Sequence, residues 1–159
     1  MKTENIFKLI VSLVLCYGAG AIGGLFTAPQ IKTWYAFLDK PFFNPPSWLF
    51  APAWTLLYTL MAISVFLIWK EYGKDPHVRS SVVLFFVHLF FNFIWSIFFF
   101  YWHQLLVAFI DIVLIWLFII ILILRFQKIN KVAAYLLAPY LAWVTFASLL
   151  NFSVWILNP

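Results

Sequence analysis

Three polar side chains, His88, Asn92 and Ser96, lie four residues apart in a stretch that is otherwise apolar. At that spacing they share one face of a helix. Polar residues inside a membrane span usually face the bundle interior or a cavity. The stripe therefore predicts either hydrogen bonds between helices or a ligand-binding face, with Asn92 the best candidate for a ligand contact. No acidic residue or cysteine stands near it in the sequence, which makes it a poor metal site.

Asp111 is the only acidic residue within a predicted span. A carboxylate inside the membrane indicates a functional role by default, because its charge is costly in lipid. Two interpretations stay open. The carboxyl group is either protonated and hydrogen-bonded to a neighbouring helix, or it is the centre of an ion-coupled transporter. Transporters of that kind often contain inverted repeats, and the sequence shows no internal repeat.

The segment 34–58 combines four prolines with three tryptophans. Each proline removes a backbone N–H and restricts the residue before it, so the first part of the segment is a semi-rigid loop. We predict that residues 34–46 cover a pocket. Residues 48–58 then form the first wall of that pocket, with Trp54 facing it.

Composition defines the class of protein that must position these residues. Of 159 residues, 66% are hydrophobic and only 9% are charged, and the mean hydropathy is +1.02. A soluble domain has roughly 25% charged residues, so we predict an all-α integral membrane protein. A span needs about 20 apolar residues, which predicts a single domain over 1–159 with five transmembrane helices. We place these helices at about 6–26, 47–69, 80–101, 104–124 and 132–156, with residues 27–46 as a lid loop.

The basic residues predict the orientation of the bundle. Eight lie on the side of the N-terminus, namely Lys2, Lys8, Lys70, Lys74, Arg79, Arg125, Lys128 and Lys131, and only Lys32 and Lys40 lie on the other. Cytoplasmic loops carry the excess of Lys and Arg. We therefore expect a cytoplasmic N-terminus, with the C-terminus and the lid loop outside. This topology also explains the net charge of +5, so no nucleic acid is expected as a partner.

Small residues repeat along the first helix. Gly20 and Gly24 form one pair at a spacing of four, and Ala19 and Gly23 form another. Such pairs let neighbouring backbones approach closely. They indicate either tight packing within the bundle or the seam of a homodimer.

Helical rise brings the singled-out residues to similar depths. At 1.5 Å per residue, Trp54, Asn92 and Asp111 each lie about 10 Å from the outer end of their helix. Trp143 lies near mid-membrane and Ala147 one turn closer to the outside, beyond a kink expected at Pro139. The spacing predicts a pocket in the outer half of the bilayer, beneath the lid loop.

Ordered motifs over essentially the whole chain give a resemblance to a known family. The sequence resembles the translocator protein family, TspO/MBR, also called the peripheral-type benzodiazepine receptor family. The matching stretches are Gly20–Phe26 (GAIGGLF), Trp34-Tyr35, Lys40-Pro41, Pro45-Pro46, Phe50–Tyr58 (FAPAWTLLY), Asn92–Phe99 (NFIWSIFF), Ala108–Leu114 (AFIDIVL) and Ala138–Asn151 (APYLAWVTFASLLN).

The resemblance implies a five-helix bundle, often a homodimer, that binds porphyrins such as protoporphyrin IX. It also implies synthetic ligands of the isoquinoline carboxamide and benzodiazepine types, and translocation or sensing of the bound tetrapyrrole. Carried over position by position, the ligand-binding residues are Tyr35, Pro46, Trp54, Asn92, Trp143 and Ala147. In the family, Asn92 and Trp54 correspond to residues that contact the polar group of the ligand. We add His88, Ser96 and Asp111 as polar support, and we expect no metal and no cofactor.

Whether the protein is an enzyme stays open. In some bacterial members of the family, the residues equivalent to Trp54 and Trp143 are implicated in light- and oxygen-dependent porphyrin breakdown. The sequence contains no conventional acid–base pair or activated nucleophile. Cholesterol binding is not carried over, because Phe152 and Ile156 stand where mammalian members have Tyr and Arg. We expect a bacterial member located in the cell membrane.

Overall fold

The computed structural model describes residues 3–159 as a bundle of membrane-length helices. The helices are α1 (Thr3–Lys32), α2 (Phe50–Trp69), α3 (His77–Ser96), α4 (Leu105–Ile129), α5 (Lys131–Leu136) and α6 (Ala138–Leu157). Five segments are long and apolar enough to cross a membrane, with α5 and α6 together forming the fifth. No strand occurs within residues 3–159. The predicted all-α five-helix class is confirmed; Lys2, counted in the charge asymmetry, lies outside the described residues.

The first helix continues beyond the predicted end at residue 26. It runs through Pro29 to Lys32, and the amide of Trp34 still donates to the carbonyl of Gln30 at 3.1 Å. A proline in a helix removes one donor but keeps a helical φ. The Thr33 hydroxyl donates to the carbonyl of Pro29 at 2.9 Å, one turn earlier at the end of the helix. The lid loop is therefore residues 33–46, shorter than the predicted 27–46.

Other helices also extend past the predicted bounds, and one physical reason explains these differences. The third span begins at His77 rather than residue 80, and α4 ends at Ile129 rather than residue 124. Hydropathy locates the apolar part of a helix, whereas the added turns carry charged residues such as Arg79 and Lys128. Backbone hydrogen bonding continues into those turns regardless of polarity.

Pro139 divides the fifth span, as its position predicts. The break lies at Leu137, whose amide donates to the carbonyl of Ala134 in a tighter turn (3.1 Å). Pro139 then occupies the first turn of α6, where its missing N–H costs nothing. Asn130 caps α5 by accepting from the amide of Ala133 at 3.1 Å.

The third span ends in a π-helical turn, Ile97–Tyr101. The amide of Trp102 donates to the carbonyl of Ile97 at 2.8 Å, which inserts one extra residue into the turn. Phe99 and Phe100 are both buried there. A tight connection follows, with His103 at a φ of +55°. This π turn directs two adjacent aromatic rings inward beneath the lid loop.

Candidate ligand-binding site

A cavity of about 540 Å³ lies between the helices under the lid loop. The walls come from α1, α2, the third span and α6, and Tyr35 of the loop and Ser47 before α2 contribute at the top. On α1 the lining consists mostly of small side chains, including Ala21, Gly24 and Ala28. The opposite walls are aromatic. The cavity is thus a broad apolar slot with large rings on one side and little bulk on the other.

The structure brings five of the six predicted ligand residues to this cavity. Tyr35, Trp54, Asn92, Trp143 and Ala147 all line it. Pro46 is not among the described residues that line the cavity. It is exposed, and the next residue, Ser47, lines the cavity instead, because the chain turns into a 3₁₀ helix at that point.

The three residues predicted as polar support occupy different places. Ser96 lines the cavity, whereas His88 is fully buried behind the wall. Asp111 is 4% exposed and lies outside the lining. Its Oδ2 has no hydrogen-bond partner among residues 3–159. The similar depth that helical rise predicts does not bring Asp111 to the cavity, because no residue of α4 lines it.

Asn92 is the polar centre of the cavity wall. Its Oδ1 accepts a 2.6 Å hydrogen bond from the Tyr58 hydroxyl, and its Nδ2 donates to the Tyr140 hydroxyl at 2.7 Å. The Nε2 atom of His88 lies 2.9 Å from the same Tyr140 oxygen. A side-chain amide has two N–H donors and an oxygen with two lone pairs. One donor and one lone pair of Asn92 thus remain for a ligand.

Aromatic rings hold the Asn92 partners in place. The Trp54 ring lies 5.5 Å from the Tyr58 ring and meets the Tyr140 ring edge-on at 6.3 Å. Trp143 packs edge-on against Phe50 at 6.3 Å. Such arrangements are the favoured geometries of aromatic pairs. The two tryptophans therefore present fixed surfaces to the cavity.

Gly20 permits the position of Tyr58. A Cβ atom at residue 20 would lie 2.5 Å from Cε2 of the Tyr58 ring, and one at Gly23 would lie 3.0 Å from the Ser96 hydroxyl. At Gly24, a Cβ atom meets nothing within 4 Å. Gly20 and Gly23 thus serve close packing within the bundle. This is the first of the two interpretations that the small residues of the first helix allowed. The homodimer stays a prediction.

The lid loop is fixed to the C-terminal end of the bundle. Asn158 accepts from the amide of Asp39 at 3.0 Å and donates to its carbonyl at 2.9 Å. Within the loop, the Tyr35 hydroxyl donates to Asn44 Oδ1 at 2.7 Å. Burial raises the pKa of Tyr35 to about 12. The hydroxyl is therefore a neutral donor at ordinary pH.

Sequence reasoning did not assign Tyr58, Tyr140 or the Trp95–Asn151 pair to the site. The Trp95 indole donates to Asn151 Oδ1 at 3.1 Å, and Asn151 Nδ2 donates to the carbonyl of Leu105 at 3.0 Å. The pattern contained usable signals. Tyr58 lies one turn after Trp54, and Asn151 continues the four-residue spacing of Trp143 and Ala147.

Fold and cavity define an integral membrane protein of the helical-bundle class with an aromatic-walled internal site. The family model described as the TspO/MBR family matches residues 12–156. Over 97% of its length, the chain is 43% identical to the tryptophan-rich protein TspO of Archaeoglobus fulgidus, covering 99% of that relative. It is 36% identical to protein CrtK of Rhodobacter capsulatus over 94% of its length, covering 91% of CrtK. It is 35% identical to the translocator protein of Bos taurus over 94% of its length, covering 86% of that relative.

The chain belongs to the TspO/MBR family, as its ordered motifs predicted.

Proposed function

We propose that the protein binds tetrapyrroles such as protoporphyrin IX in the cavity beneath the lid loop. The observation that carries this proposal is an apolar slot of about 540 Å³ with three tryptophans and Asn92 in its walls. Sites for drug-sized ligands have roughly 300–1,000 Å³ and few polar groups. A flat macrocycle suits a slot of that form. Transport or sensing of the bound tetrapyrrole belongs to the same proposal.

Two hydrogen-bond donors support a defined orientation of the ligand. Asn92 retains one N–H after donating to Tyr140. The Trp54 indole N–H forms no hydrogen bond with any residue in the described chain, and Trp54 lines the cavity. A carbonyl or carboxylate of the ligand can accept from both. The same donors would serve the carbonyl groups of isoquinoline carboxamide and benzodiazepine ligands.

Tryptophan-fluorescence quenching by protoporphyrin IX tests the proposal. We expect Trp54→Ala and Asn92→Ala to raise the Kd, since each removes a ligand contact. Trp48→Ala is the matched control, because Trp48 is 71% exposed and lies outside the cavity lining. Titrations that are unchanged in both cavity variants would remove the assignment of the site.

A second candidate function is light- and oxygen-dependent porphyrin breakdown. The observation that favours it is that Trp54 and Trp143 both line the cavity, so both would contact a bound macrocycle. Dioxygen would be the oxidant and the illuminated porphyrin the excited species. Illuminated, aerobic protein should then consume porphyrin faster than detergent alone. Equal loss with wild type and with Trp54→Phe/Trp143→Phe would reject the tryptophan mechanism.

A third candidate, ion-coupled transport, depends on Asp111. Its buried carboxyl oxygen without a partner in the described chain is the observation in its favour. Reconstituted vesicles should then show porphyrin uptake that follows a pH gradient and is lost in Asp111→Asn. Uptake by Asp111→Asn at the wild-type rate would reject this candidate.

We further propose that the protein lies in a bacterial cell membrane with its N-terminus in the cytoplasm, as a homodimer. Seven described basic residues at one end of the bundle, against Lys32 and Lys40 at the other, support the orientation. Reporter fusions at the two termini test it. A reporter active only outside the cytoplasm should work at the C-terminus alone.

A further inference from the structure

We propose that a groove between α3 and α4, at the end of the bundle opposite the lid loop, binds an anionic phospholipid. The groove has a volume of about 410 Å³ and is open to the surroundings of the bundle. The end of the groove farthest from the lid loop is lined by Arg79, Ser80 and Arg125. Val83, Leu84 and Val87 line the rest of it. It shares no lining residue with the tetrapyrrole cavity. The proposal is therefore independent of the function proposed above.

The two arginines form a cationic pair drawn from different helices. Arg125 Nη1 lies 3.5 Å from the Ser80 hydroxyl, which brings the end of α4 beside the start of α3. Both arginines are exposed, and neither forms an ion pair within residues 3–159. A guanidinium group binds a phosphate through paired N–H donors. Two guanidinium groups that line one groove give it the donors that a phosphate group requires.

Among residues 3–159, no acidic side chain forms an ion pair with either arginine, and the acidic groups next to α3 have other partners. Glu71 is bound to Lys74 at 2.9 Å, and the Lys74 hydrogen bond holds the pKa of Glu71 below its usual range. Asp75 accepts from the amide of His77 at 2.7 Å, at the start of α3. The lining of the groove itself holds two cationic side chains and no acidic one.

The rest of the groove is apolar and faces the membrane. Arg79, Val83 and Val87 are spaced four residues apart, so they form one row on α3. Val83 is 56% exposed and Val87 42% exposed. The row extends about 12 Å along the helix axis. A lipid with its phosphate at the arginines would place an acyl chain along this row.

Both chemical features together select a phospholipid over a soluble anion. Free phosphate satisfies the arginines but leaves the valines uncovered. A zwitterionic lipid covers the valines but offers less negative charge. Basic pockets between helices at the cytoplasmic side are typical sites for anionic head groups. The groove lies at the end that carries most of the basic residues.

Native mass spectrometry of the full-length protein in detergent tests the proposal. The probes are phosphatidylglycerol and phosphatidylcholine with identical acyl chains. We expect wild type to retain phosphatidylglycerol, and Arg79→Gln/Arg125→Gln to lower its retention on the order of tenfold. Lys128→Gln/Lys131→Gln removes the same charge at the same end of the bundle but outside the groove lining, and should retain the lipid as wild type does.

A second variant examines the acyl-chain contact separately from charge. Val83→Asn/Val87→Asn leaves both arginines in place and should also lower retention of phosphatidylglycerol. Protoporphyrin titration and Tm show that each variant is folded, and the porphyrin Kd should stay at the wild-type value. This readout separates failure of the lipid site from failure of the tetrapyrrole site.

Three outcomes would overturn the proposal. Equal retention of the two lipids by wild type would show that charge does not select the occupant. An equal loss of phosphatidylglycerol in the lysine control variant would show that retention follows the net charge of the protein and not the groove. Displacement of phosphatidylglycerol by an equal concentration of glycerol 3-phosphate would identify a site for soluble phosphate esters instead.

Discussion

The Tyr140 hydroxyl accepts a 2.7 Å hydrogen bond from the Asn92 side-chain amide. This bond links α6 to α3 behind the cavity wall. Together with the Tyr58 hydroxyl, it fixes which end of the amide faces which neighbour. Tyr140, which does not line the cavity, can therefore decide how Asn92 presents its free N–H.

Replacing Tyr140 with Phe removes the acceptor while keeping the ring. An unpaired buried N–H costs about 1–3 kcal/mol, so we expect Tm to fall and the Kd for protoporphyrin IX to rise several-fold. Tyr135→Phe is the control, because Tyr135 is 67% exposed on the same span. Quenching titrations and thermal unfolding give both readouts. An equal decrease in Tm and an equal increase in Kd in both variants would show that the Tyr140 hydroxyl has no special role.

His88→Ala tests the next group along the same network. His88 Nε2 lies 2.9 Å from the Tyr140 oxygen and the residue is fully buried. We expect weaker porphyrin binding together with a lower Tm, because Tyr140 loses its second partner and a void is created. In the double variant His88→Ala/Tyr140→Phe, the increases in Kd should be less than multiplicative, since both act through Asn92. Independent, multiplicative effects would contradict this coupling.

Gly20→Ala and Gly18→Ala are matched substitutions on α1. A methyl group at residue 20 would meet the Tyr58 ring at 2.5 Å, whereas one at residue 18 meets nothing within 4 Å. Overpacking costs about 1–3 kcal/mol, so Gly20→Ala should lower Tm and weaken porphyrin binding by displacing Tyr58. Gly18→Ala should be neutral or stabilising, because Ala favours a helix more than Gly does. Equal effects of the two would show that the Gly20–Tyr58 contact is not required.

Asn158→Ala should loosen the lid loop. The variant loses two hydrogen bonds to the main chain of Asp39, each contributing about 0.5–1.5 kcal/mol. We expect porphyrin dissociation to become several-fold faster, with a smaller change in the equilibrium Kd if association also accelerates. Stopped-flow fluorescence measures both rates. Ser153→Ala, which removes only a hydrogen bond within α6 to the carbonyl of Leu149, should leave the rates unchanged.

Tyr35 should make the loop sensitive to alkaline pH. Its pKa is raised from 10.0 to about 12 by burial. Between those values the folded loop holds a proton that the unfolded chain releases, so stability falls as pH rises above 10. We expect faster porphyrin release in this window and a weaker pH dependence in Tyr35→Phe. Absorbance at the tyrosinate wavelength, recorded on both proteins, checks the assignment.

Sequence alone determined the class of this protein and most of its candidate site. Apolar runs of membrane length require helices in lipid, because the backbone has no other partner there. Four-residue spacing and helical rise then indicated that Trp54, Asn92 and Ala147 lie at related depths. The ordered motifs indicated the family. The class and the family are confirmed, because the first depends on the length and apolarity of local runs and the second on motifs that are read directly from the chain.

Tertiary structure decided which faces converge. Helical rise predicts similar depths for Asp111 and Asn92, but Asp111 lies outside the cavity, because depth leaves the rotation and placement of a helix undefined. Tyr140, Tyr58 and Gly20 form one contact system across three helices, and no spacing within a single helix reveals it. Hydropathy also placed the end of α1 too early, since it measures apolar content while Lys32 is held by backbone hydrogen bonding. The sequence thus shows which residues belong to a helix. The residues that they contact on other helices are visible only in the packed structure.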